Sequence, residues 1–387
     1  MSAFELDPPL DPRLRQRLVE PTPARDWVLA TLTAASERPR HATHSFRQAA
    51  RDARKLRSRE RRALWDLVYD LVRYRAVLGR IAATPDWEGL LDAWLSGGPV
   101  PEGLPDADRL GCTADAAADL RSTYGDALED WLAASNARAP TTLRAHVGRI
   151  GQEALQGRLR RDGIETIPVG AAGLNVVGRA NVLGSAAWRE GLFEVQDLAS
   201  QWVSERVDPA GHTVLDLCAG AGGKALAMAA LGGRVTATDI RARALEELRN
   251  RAQRARSAIE VHLLEGDPLG SRTFERVLVD APCSGTGVWR RHPELRWRLG
   301  EAGAAQSPTL ADLHRDQRML VETGARHVAE GGRLVYATCS ALRSENEALV
   351  DGFLADHPEW ARAEPDLRTA PHVDGTDGMY AAFLERR

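Results

Sequence analysis

The sequence of 387 residues is longer than one average domain and predicts two or three. Hydrophobic residues make up 43% of it, which is enough to bury sizeable cores and argues against wholesale disorder. The formal net charge of -3 excludes a generic polycation, so any contact with nucleic acid has to come from local basic patches.

The cysteines lie far apart, at Cys112, Cys218, Cys283 and Cys339, with no CxxC pair and no histidine–cysteine cluster of zinc spacing. So few cysteines in so long a chain argue against a disulfide framework and favour reduced thiols. The first residues lack an apolar signal-peptide stretch, and no run of about 18 apolar residues is present. We therefore expect a cytoplasmic protein without a metal or a membrane segment, and nothing in the sequence requires more than a monomer.

Helical patterning fills the first third of the chain after a lead-in, residues 1–22, whose prolines and charges predict loose order. From Asp26 to about Arg80 apolar residues recur at helical spacing, and Ser58 is a candidate N-cap. A loop rich in glycine and proline at 96–107 separates this part from further helical sequence. The predicted apolar helix face consists of Leu64, Leu67, Val68, Leu71 and Leu78.

The segment from Arg38 to Arg62 holds ten lysines and arginines against two acidic residues. Such a run is either a solvated helix face or a surface that contacts phosphates, and the pattern leaves both interpretations open. The second gains weight only if the rest of the chain points to RNA.

A small α+β unit is predicted next. An extended segment at 138–150 precedes a helix from Gln152 to Arg161. Short strands follow near Ile164–Val169 and Leu174–Val177.

From about Gly211 short aliphatic strands alternate with helical stretches, which predicts a parallel, doubly wound sheet. Sheets of this type bind ligands at the carboxyl ends of their strands, where the chemically informative residues of this chain fall. The predicted strands read TVLDLC, RVTATDI, IEVHLLEGD, RVLVDAP and RLVYATCS.

The first of these strands runs into a glycine-rich turn whose small residues let a ligand approach backbone amides and a helix N-terminus. The turn matches neither G-x-G-x-x-G nor the P-loop, so taken alone it suits NAD, a nucleotide or S-adenosylmethionine. The candidate cofactor-binding residues of the turn are Cys218, Ala219, Gly220, Ala221, Gly222, Gly223 and Lys224.

Acidic residues are predicted at the ends of four strands. Asp239, which follows Asp216 of the first strand, ends the second, where a carboxylate accepts both ribose hydroxyls of a nucleoside. Asp267 is expected to end the third strand, within reach of an adenine amino group, and Asp280 ends the fourth. Any one of them alone is also a candidate helix cap, but the series predicts a nucleoside cofactor with a positively charged centre.

Cys283 in DAPCSGTG and Cys339 in YATCS follow neighbouring strands, so both are expected at one rim of the pocket. A lone cysteine on a strand is more often a small buried hydrophobe, but a pair beside a sulfonium cofactor favours chemistry. Carbon 5 of cytosine becomes nucleophilic only after addition to carbon 6, a step that suits a thiolate, and a second thiol assists release of the product. Residue types alone do not decide which cysteine attacks.

At these residues the chain resembles the RsmB/Nop2/Sun family of RNA 5-methylcytosine methyltransferases, and most of all its bacterial Sun-type ribosomal RNA members. The family's usual turn reads CAAPGGKT, whereas this chain has Ala221 for the proline and Ala225 for the threonine. The amides remain, so we expect cofactor binding to survive. The resemblance covers about residues 130–387, in RAPTTLR, EGLFEVQDLASQ, DLCAGAGGKA, ATDI, DAPCSGTGVWRRHPELRW, YATCSALRSENE and DGMYAAFLERR.

The resemblance implies that Cys339 is the nucleophile and that Cys283 helps to release the product, whereas in DNA cytosine-5 enzymes the cysteine of the PC motif attacks. It also implies that Asp280 and Lys224 lie close to the target base. The implied cofactor is S-adenosylmethionine, held by the glycine-rich turn and by Asp239, Asp267 and Asp280. The candidate contacts with RNA phosphates are Arg144, Arg290 and Arg291.

The predicted architecture has three parts: an all-α domain at 1–130, a small α+β connector at 131–205, and a Rossmann-like α/β catalytic domain at 206–387. The helical, arginine-rich pattern of the first part is similar to the NusB-like RNA-binding domain of Sun-type enzymes, and the connector would correspond to the family's small RNA-recognition-like domain. The predicted function is transfer of a methyl group from S-adenosylmethionine to carbon 5 of a cytosine in RNA through a covalent cysteine–cytosine intermediate. The N-terminal domain favours small-subunit ribosomal RNA as the substrate. The cytosine has to lie in a loop or be extruded, because carbon 6 is inaccessible in a stacked helix.

Other functions stay open at this point. A transfer RNA methyltransferase would share the chemistry, although a chain without the helical N-terminal part would favour it more. A DNA enzyme would leave the TC motif without a role. A non-catalytic RNA-binding factor would be favoured by loss of either cysteine, and an oxidoreductase would leave both cysteines unexplained.

Overall fold

The computed structural model describes residues 10–37, 42, 45, 46, 48, 49, 58–97, 100–299 and 308–387. The packing divides the chain into two compact units. The helical unit comprises Met1–Asn136 and Trp289–Ala311, and the sheet unit comprises Ala137–Val288 and Asp312–Arg387. The helical unit is therefore discontinuous in sequence, and its second segment lies inside the stretch that was expected to be purely catalytic.

The helical unit confirms the all-α prediction for its described residues. All five residues of the predicted apolar helix face are buried in its core. The unit also contains the 3-10 helices Gly125–Ala127 and Pro293–Leu299. Its α-helices are α1 (Pro12–Val19), α2 (Pro23–Ser36), α3 (Ser58–Arg73), α4 (Arg75–Leu78), α5 (Trp87–Ser96), α6 (Asp106–Leu110), α7 (Ala114–Tyr124) and α8 (Leu128–Asn136).

The prediction of loose order for residues 1–22 is wrong at α1, which is a capped helix. Asp11 caps this helix by accepting a hydrogen bond from the Arg13 amide at 2.9 Å, and Pro12 occupies its first turn. The helix buries Leu14 and Leu18 in the core. Most of the basic segment from Arg38 to Arg62 lies outside the described residues, so its two interpretations stay open.

The first sheet of the sheet unit confirms the predicted small α+β unit. Its four strands are antiparallel, in the order β2-β3-β1-β4. Helix α9 has the predicted bounds. It buries Leu155 and Leu159 in the hydrophobic core beneath this four-stranded sheet. The elements are β1 (Thr142–Ala145), α9 (Gln152–Arg161), β2 (Thr166–Val169), β3 (Gly173–Val176), a 3-10 helix (Val182–Gly184), α10 (Ala186–Arg189) and β4 (Phe193–Val195).

The second sheet follows the strand–helix rhythm of the sequence. Its elements are α11 (Leu198–Arg206), β5 (Thr213–Asp216), α12 (Gly223–Ala230), β6 (Arg234–Asp239), α13 (Ala242–Ala255), β7 (Ile259–Leu263), β8 (Phe274–Asp280), a 3-10 helix (Thr286–Val288), α14 (Leu310–Arg326), β9 (Val328–Thr338), a 3-10 helix (Arg343–Glu345), α15 (Glu347–Asp356), β10 (Trp360–Arg362), β11 (Leu367–Arg368), α16 (Pro371–Asp374) and β12 (Tyr380–Arg386).

Helices cover both faces of this sheet, as a doubly wound fold requires. Val214 and Leu215 are neighbours on β5, and they belong to two different apolar clusters because successive side chains of a strand point to opposite faces. Helix α11 contributes Ala199 and Val203 to the first cluster, so it packs with the large sheet although it was expected in the connector. In the described part of the chain, no helix is long and apolar enough to cross a bilayer.

The predicted parallel sheet is confirmed for five neighbouring strands and has an antiparallel strand at one edge. Strands β7, β6, β5, β8 and β9 are parallel neighbours in that order. Strand β12 then pairs antiparallel with β9, with Tyr380 opposite Thr338. This pairing holds the end of β9 in place directly before Cys339, and so fixes one side of the candidate site.

Candidate active site

The glycine-rich turn connects β5 to α12 through two residues in left-handed conformation. Gly220 has φ +56° and Gly222 has φ +82°, which glycine adopts without steric cost. A Cβ atom at Gly222 would also lie 2.5 Å from Leu248 Cγ. The Ala221 carbonyl oxygen accepts a hydrogen bond from Arg251 Nη1 at 2.6 Å, so the turn is held even though alanine replaces the family's proline.

Three of the four predicted acids do end strands. Asp216, Asp239 and Asp280 are the last residues of β5, β6 and β8. Asp267 is corrected: β7 already ends at Leu263, and Asp267 is exposed in the following loop. Its Oδ1 accepts a hydrogen bond from the Gly270 amide at 2.9 Å, so it stabilises a turn, and its contact with adenine stays a prediction.

Asp239 holds the turn and is itself held by Arg241. Its Oδ2 accepts a hydrogen bond from the Gly220 amide at 2.8 Å, and Arg241 pairs with both carboxylate oxygens at 2.9 Å. Burial opposes ionisation of Asp239, but the hydrogen bonds and charge of Arg241 outweigh it and lower the pKa of the carboxyl. The carboxylate is therefore ionised, and the Arg241 side chain that pairs with it is mostly exposed.

A second ion pair links the glycine-rich turn to the end of β8. Lys224 Nζ lies 2.7 Å from Asp280 Oδ2, and the Lys224 side chain is almost fully buried. Burial disfavours the ammonium, but Asp280 and the nearby Cys339 together raise the pKa of Lys224 above its usual value. Burial and the charge of Asp280 raise the pKa of Asp216 to about 8. A cation bound at the turn would relieve this repulsion between carboxylates.

The two strand-end cysteines converge as predicted. Cys339 directly follows β9 and Cys283 follows β8, its parallel neighbour. Their Sγ atoms are 3.4 Å apart, although 56 positions separate them in sequence. Cys283 is buried, whereas Cys339 is partly exposed. The thiol of Cys339 is therefore accessible to a ligand that enters from solvent, and the buried thiol of Cys283 is in contact with the thiol of Cys339.

Either sulfur atom can donate the hydrogen in the contact between the two thiols. The hydrogen bond to Cys339 is the largest cause that raises the pKa of Cys283 well above its usual value, and burial adds to it. The raised pKa favours the protonated form of Cys283, which suits it as an acid, and the partly exposed Cys339 is the candidate nucleophile.

A buried carboxylate ties the two cysteine loops together. A serine follows each of the two cysteines. The hydroxyls of these residues, Ser284 and Ser340, both donate to Glu345 Oε2 at 2.5 Å. The Ser284 amide and Gln317 Nε2 donate to Glu345 Oε1, each at 2.9 Å. Glu345 has no exposed surface, so these charge-assisted hydrogen bonds satisfy a carboxylate that would otherwise be costly to bury.

The arginines predicted to contact phosphates are mostly buried. Arg144 is 4% exposed, its Nε donates to Gln196 Oε1 at 2.6 Å, and burial lowers its pKa to about 10. Arg290 is 6% exposed within the helical unit. A phosphate at the surface needs an exposed guanidinium, so the structure does not support these two contacts. Arg291 is partly exposed, and its contact stays a prediction.

Sequence reasoning missed two residues of the site. Arg241 lies two positions after Asp239, and its position alone could have suggested a counter-ion. Glu345 stands in the quoted SENE segment, but its sequence neighbours do not reveal that it reaches both cysteine loops. Across the described residues, no group of three or more His, Cys, Asp or Glu side chains is arranged to hold a metal ion.

The sheet unit is similar in sequence to known proteins. A family model described as 16S rRNA methyltransferase RsmB/F matches residues 207–385. A curated relative, the ribosomal RNA small subunit methyltransferase B of Yersinia enterocolitica, is 32% identical over 288 residues. That match covers 70% of this chain and 65% of the relative, so the chain matches slightly less than two thirds of the relative's length.

Two solved structures share the fold. The crystal structure of PH0851 has a TM-score of 0.76 at 24% identity and covers 95% of this chain and 100% of that one. The crystal structure of NSun6 from Pyrococcus horikoshii with SFG has a TM-score of 0.61 at 18% identity and covers 71% of this chain and 98% of that one. At these identities the likeness establishes the fold.

Proposed function

We propose that the chain is a member of the RsmB/F family of 16S ribosomal RNA methyltransferases, whose family model matches residues 207–385, and that it transfers a methyl group from S-adenosylmethionine to carbon 5 of a cytosine in small-subunit ribosomal RNA. The observation that carries the proposal is the 3.4 Å separation of the Cys283 and Cys339 Sγ atoms at the ends of adjacent parallel strands. The name of the Yersinia relative supports ribosomal RNA as the substrate.

The residues of the glycine-rich turn fit S-adenosylmethionine. The turn from Cys218 to Lys224 leads into the N-terminus of α12, and Asp239 offers an ionised carboxylate to ribose hydroxyls. The charge of Asp280, which helps to raise the pKa of the buried Asp216, favours a cationic ligand nearby. When bound, the cofactor supplies an electrophilic methyl group on a sulfonium. Asp267 is the proposed adenine contact, reached from its loop.

The cysteines would perform the covalent steps. The Cys339 thiolate adds to carbon 6 of the cytosine, a sulfur–carbon bond forms, and the ring becomes an enamine that is nucleophilic at carbon 5. After methylation, the Cys283 thiol would give its proton to the departing sulfur of Cys339 and take the proton from carbon 5. The double bond between carbons 5 and 6 then reforms, and both cysteines end as thiols. Lys224 forms an ion pair with Asp280 near Cys339, so both groups would lie beside the target cytosine.

Asp239→Asn is expected to weaken cofactor binding by about tenfold or more, equivalent to about 1.4 kcal/mol or more. The amide keeps the size of the side chain but loses the charge and one acceptor oxygen for ribose hydroxyls. Calorimetric titration with S-adenosylmethionine measures the dissociation constant. Asp356→Asn, which removes an exposed partner of Arg318, is the matched control and is expected to bind as the wild type does. An unchanged constant in folded Asp239→Asn would remove Asp239 from the cofactor site.

Glu345→Gln is expected to lower methyl transfer by at least about tenfold and the free energy of unfolding by about 1–3 kcal/mol. In the wild type, two serine hydroxyls donate to the carboxylate. The amide nitrogen of the variant is a donor and cannot accept these hydrogen bonds, so the two cysteine loops lose their shared acceptor. Single-turnover rates with saturating cofactor and RNA, together with denaturant unfolding, check both effects. Glu347→Gln, which loses a partly exposed ion pair with Arg368, is the control. Wild-type rates in Glu345→Gln would refute the positioning role.

The substrate class is tested by methyl transfer from labelled S-adenosylmethionine to protein-free small-subunit ribosomal RNA, transfer RNA and DNA. Label in ribosomal RNA alone is the expected result. Label in transfer RNA alone would keep the chemistry but overturn the substrate. No label in any of them, with cofactor binding intact, would count against catalysis on free RNA and favour a binding factor or a ribosomal particle as substrate.

A further inference from the structure

A cavity of about 630 Å³ lies within the helical unit. Its volume is in the range of sites that take a small molecule or a single nucleotide. Arginines dominate the polar part of its wall. The wall includes Arg73, Arg75, Arg80, Arg296, Asp108 and Trp297.

Three of the four arginines have protein partners. Arg73 forms an ion pair with Asp70 at 3.0 Å, and Arg80 forms one with Asp108 at 2.8 Å. Arg296 is 1% exposed and donates to two neutral oxygens at 2.6 Å, one of them the carbonyl oxygen of Arg73. Two carboxylates thus accompany four guanidinium groups, which leaves an excess of positive charge around the cavity.

Arg75 is the fourth, and it differs from the others. Within the described ranges its guanidinium has no carboxylate partner and forms no hydrogen bond; the contacts of this group are with aromatic rings. Its Cζ lies 5.3 Å from the ring centroid of Trp87 and 5.9 Å from that of Trp297. These cation–π contacts hold the guanidinium in place without using its N–H donors.

The surroundings of Arg75 also lack compensating charge. Burial lowers the pKa of this guanidinium, because its charge has lost water without gaining an anion. A half-buried cation with fixed orientation and unused donors is suited to an anion that brings several acceptor oxygens. The planar fork of arginine matches a phosphate group in this way.

We propose that this cavity binds a phosphate group of the RNA substrate, with Arg75 as its main contact. The inference rests on the proposed function, since it takes RNA to be the substrate. The excess of guanidinium groups attracts the anion, the two tryptophan rings orient Arg75, and the cavity has room for the attached nucleotide. The helical unit then contributes directly to substrate affinity.

The test is binding of a transcript of small-subunit ribosomal RNA to the full chain over a series of salt concentrations, without cofactor. Arg75→Gln is expected to raise the dissociation constant by about three- to tenfold and to reduce the salt slope by about one. Arg75→Lys keeps the charge but loses the planar fork of the guanidinium. Its dissociation constant is expected to lie between those of the wild type and Arg75→Gln. Arg13→Gln, an exposed arginine of α1, removes the same charge from the helical unit and is expected to bind as the wild type does.

Several results would overturn the proposal. Arg75→Gln with wild-type affinity and salt slope would do so, as would equal effects of Arg75→Gln and Arg13→Gln. If Arg75→Gln melts at a lower temperature, Arg75→Lys decides: wild-type binding by a folded Arg75→Lys would exclude the fork contact. If inorganic phosphate stabilises the wild type but not Arg75→Gln while RNA binding is unchanged, the cavity takes free phosphate and the RNA assignment is wrong. Because no methyl transfer is measured, failure of the proposed activity would be seen separately.

Discussion

Cys339→Ala is expected to abolish methyl transfer, with a loss of about a thousandfold or more in the single-turnover rate. The variant lacks the partly exposed thiol that adds to carbon 6, and without that addition carbon 5 stays unreactive. Cofactor binding is expected to stay near the wild-type level, because the glycine-rich turn and Asp239 are unchanged. The measurement is transfer of labelled methyl to ribosomal RNA at saturating cofactor.

Cys339→Ser provides the matched control for shape. Its hydroxyl has nearly the size of the thiol, so it tests nucleophilicity rather than packing, and the same loss is expected. Substantial activity in either variant, with Cys283 intact, would contradict the assignment of Cys339 as the attacking residue.

Cys283→Ala is expected to accumulate a covalent complex between the protein and RNA. Attack by Cys339 and methylation still proceed, but release loses the thiol that lies 3.4 Å from the attacking sulfur. The complex should survive denaturing electrophoresis as a slowly migrating band that contains labelled RNA. It should require cofactor, and turnover should fall by about a hundredfold or more.

The double variant Cys283→Ala with Cys339→Ala is the control for this trap. It is expected to give no covalent band, because the trapped bond is to Cys339. A band in Cys339→Ala but none in Cys283→Ala would exchange the two roles. Such an exchange would also conflict with the raised pKa of Cys283, which favours it as the proton donor.

The parallel core of the fold was predictable because its strands are short, aliphatic and separated by helical sequence. Three of the strand-end acids, Asp216, Asp239 and Asp280, follow from the same pattern. Strand β12 was not assigned, because antiparallel pairing at an edge depends on which strand lies next to it. Helix α1 was missed because local prolines and charges conceal two turns of apolar spacing.

The convergence of Cys283 and Cys339 could be predicted because carboxyl ends of parallel neighbours meet at one edge. The role of Glu345 could not, since it depends on hydrogen bonds to loops that are 61 and 5 positions away. Arg144 was expected to contact RNA phosphates because of the family resemblance, and the sequence does not show what covers a short strand. Its burial follows from the four-stranded sheet, in which it faces Gln196 rather than solvent.

The two thiols are proposed to activate carbon 5 of a cytosine in RNA, so that it accepts the methyl group of S-adenosylmethionine. The most direct test is to incubate the wild-type protein with labelled S-adenosylmethionine and small-subunit ribosomal RNA, digest the RNA to nucleosides and identify the labelled one by chromatography and mass spectrometry. The account predicts 5-methylcytidine. Label in a ribose-methylated nucleoside or on the exocyclic amine of cytidine would contradict it, because neither product needs a thiolate at carbon 6.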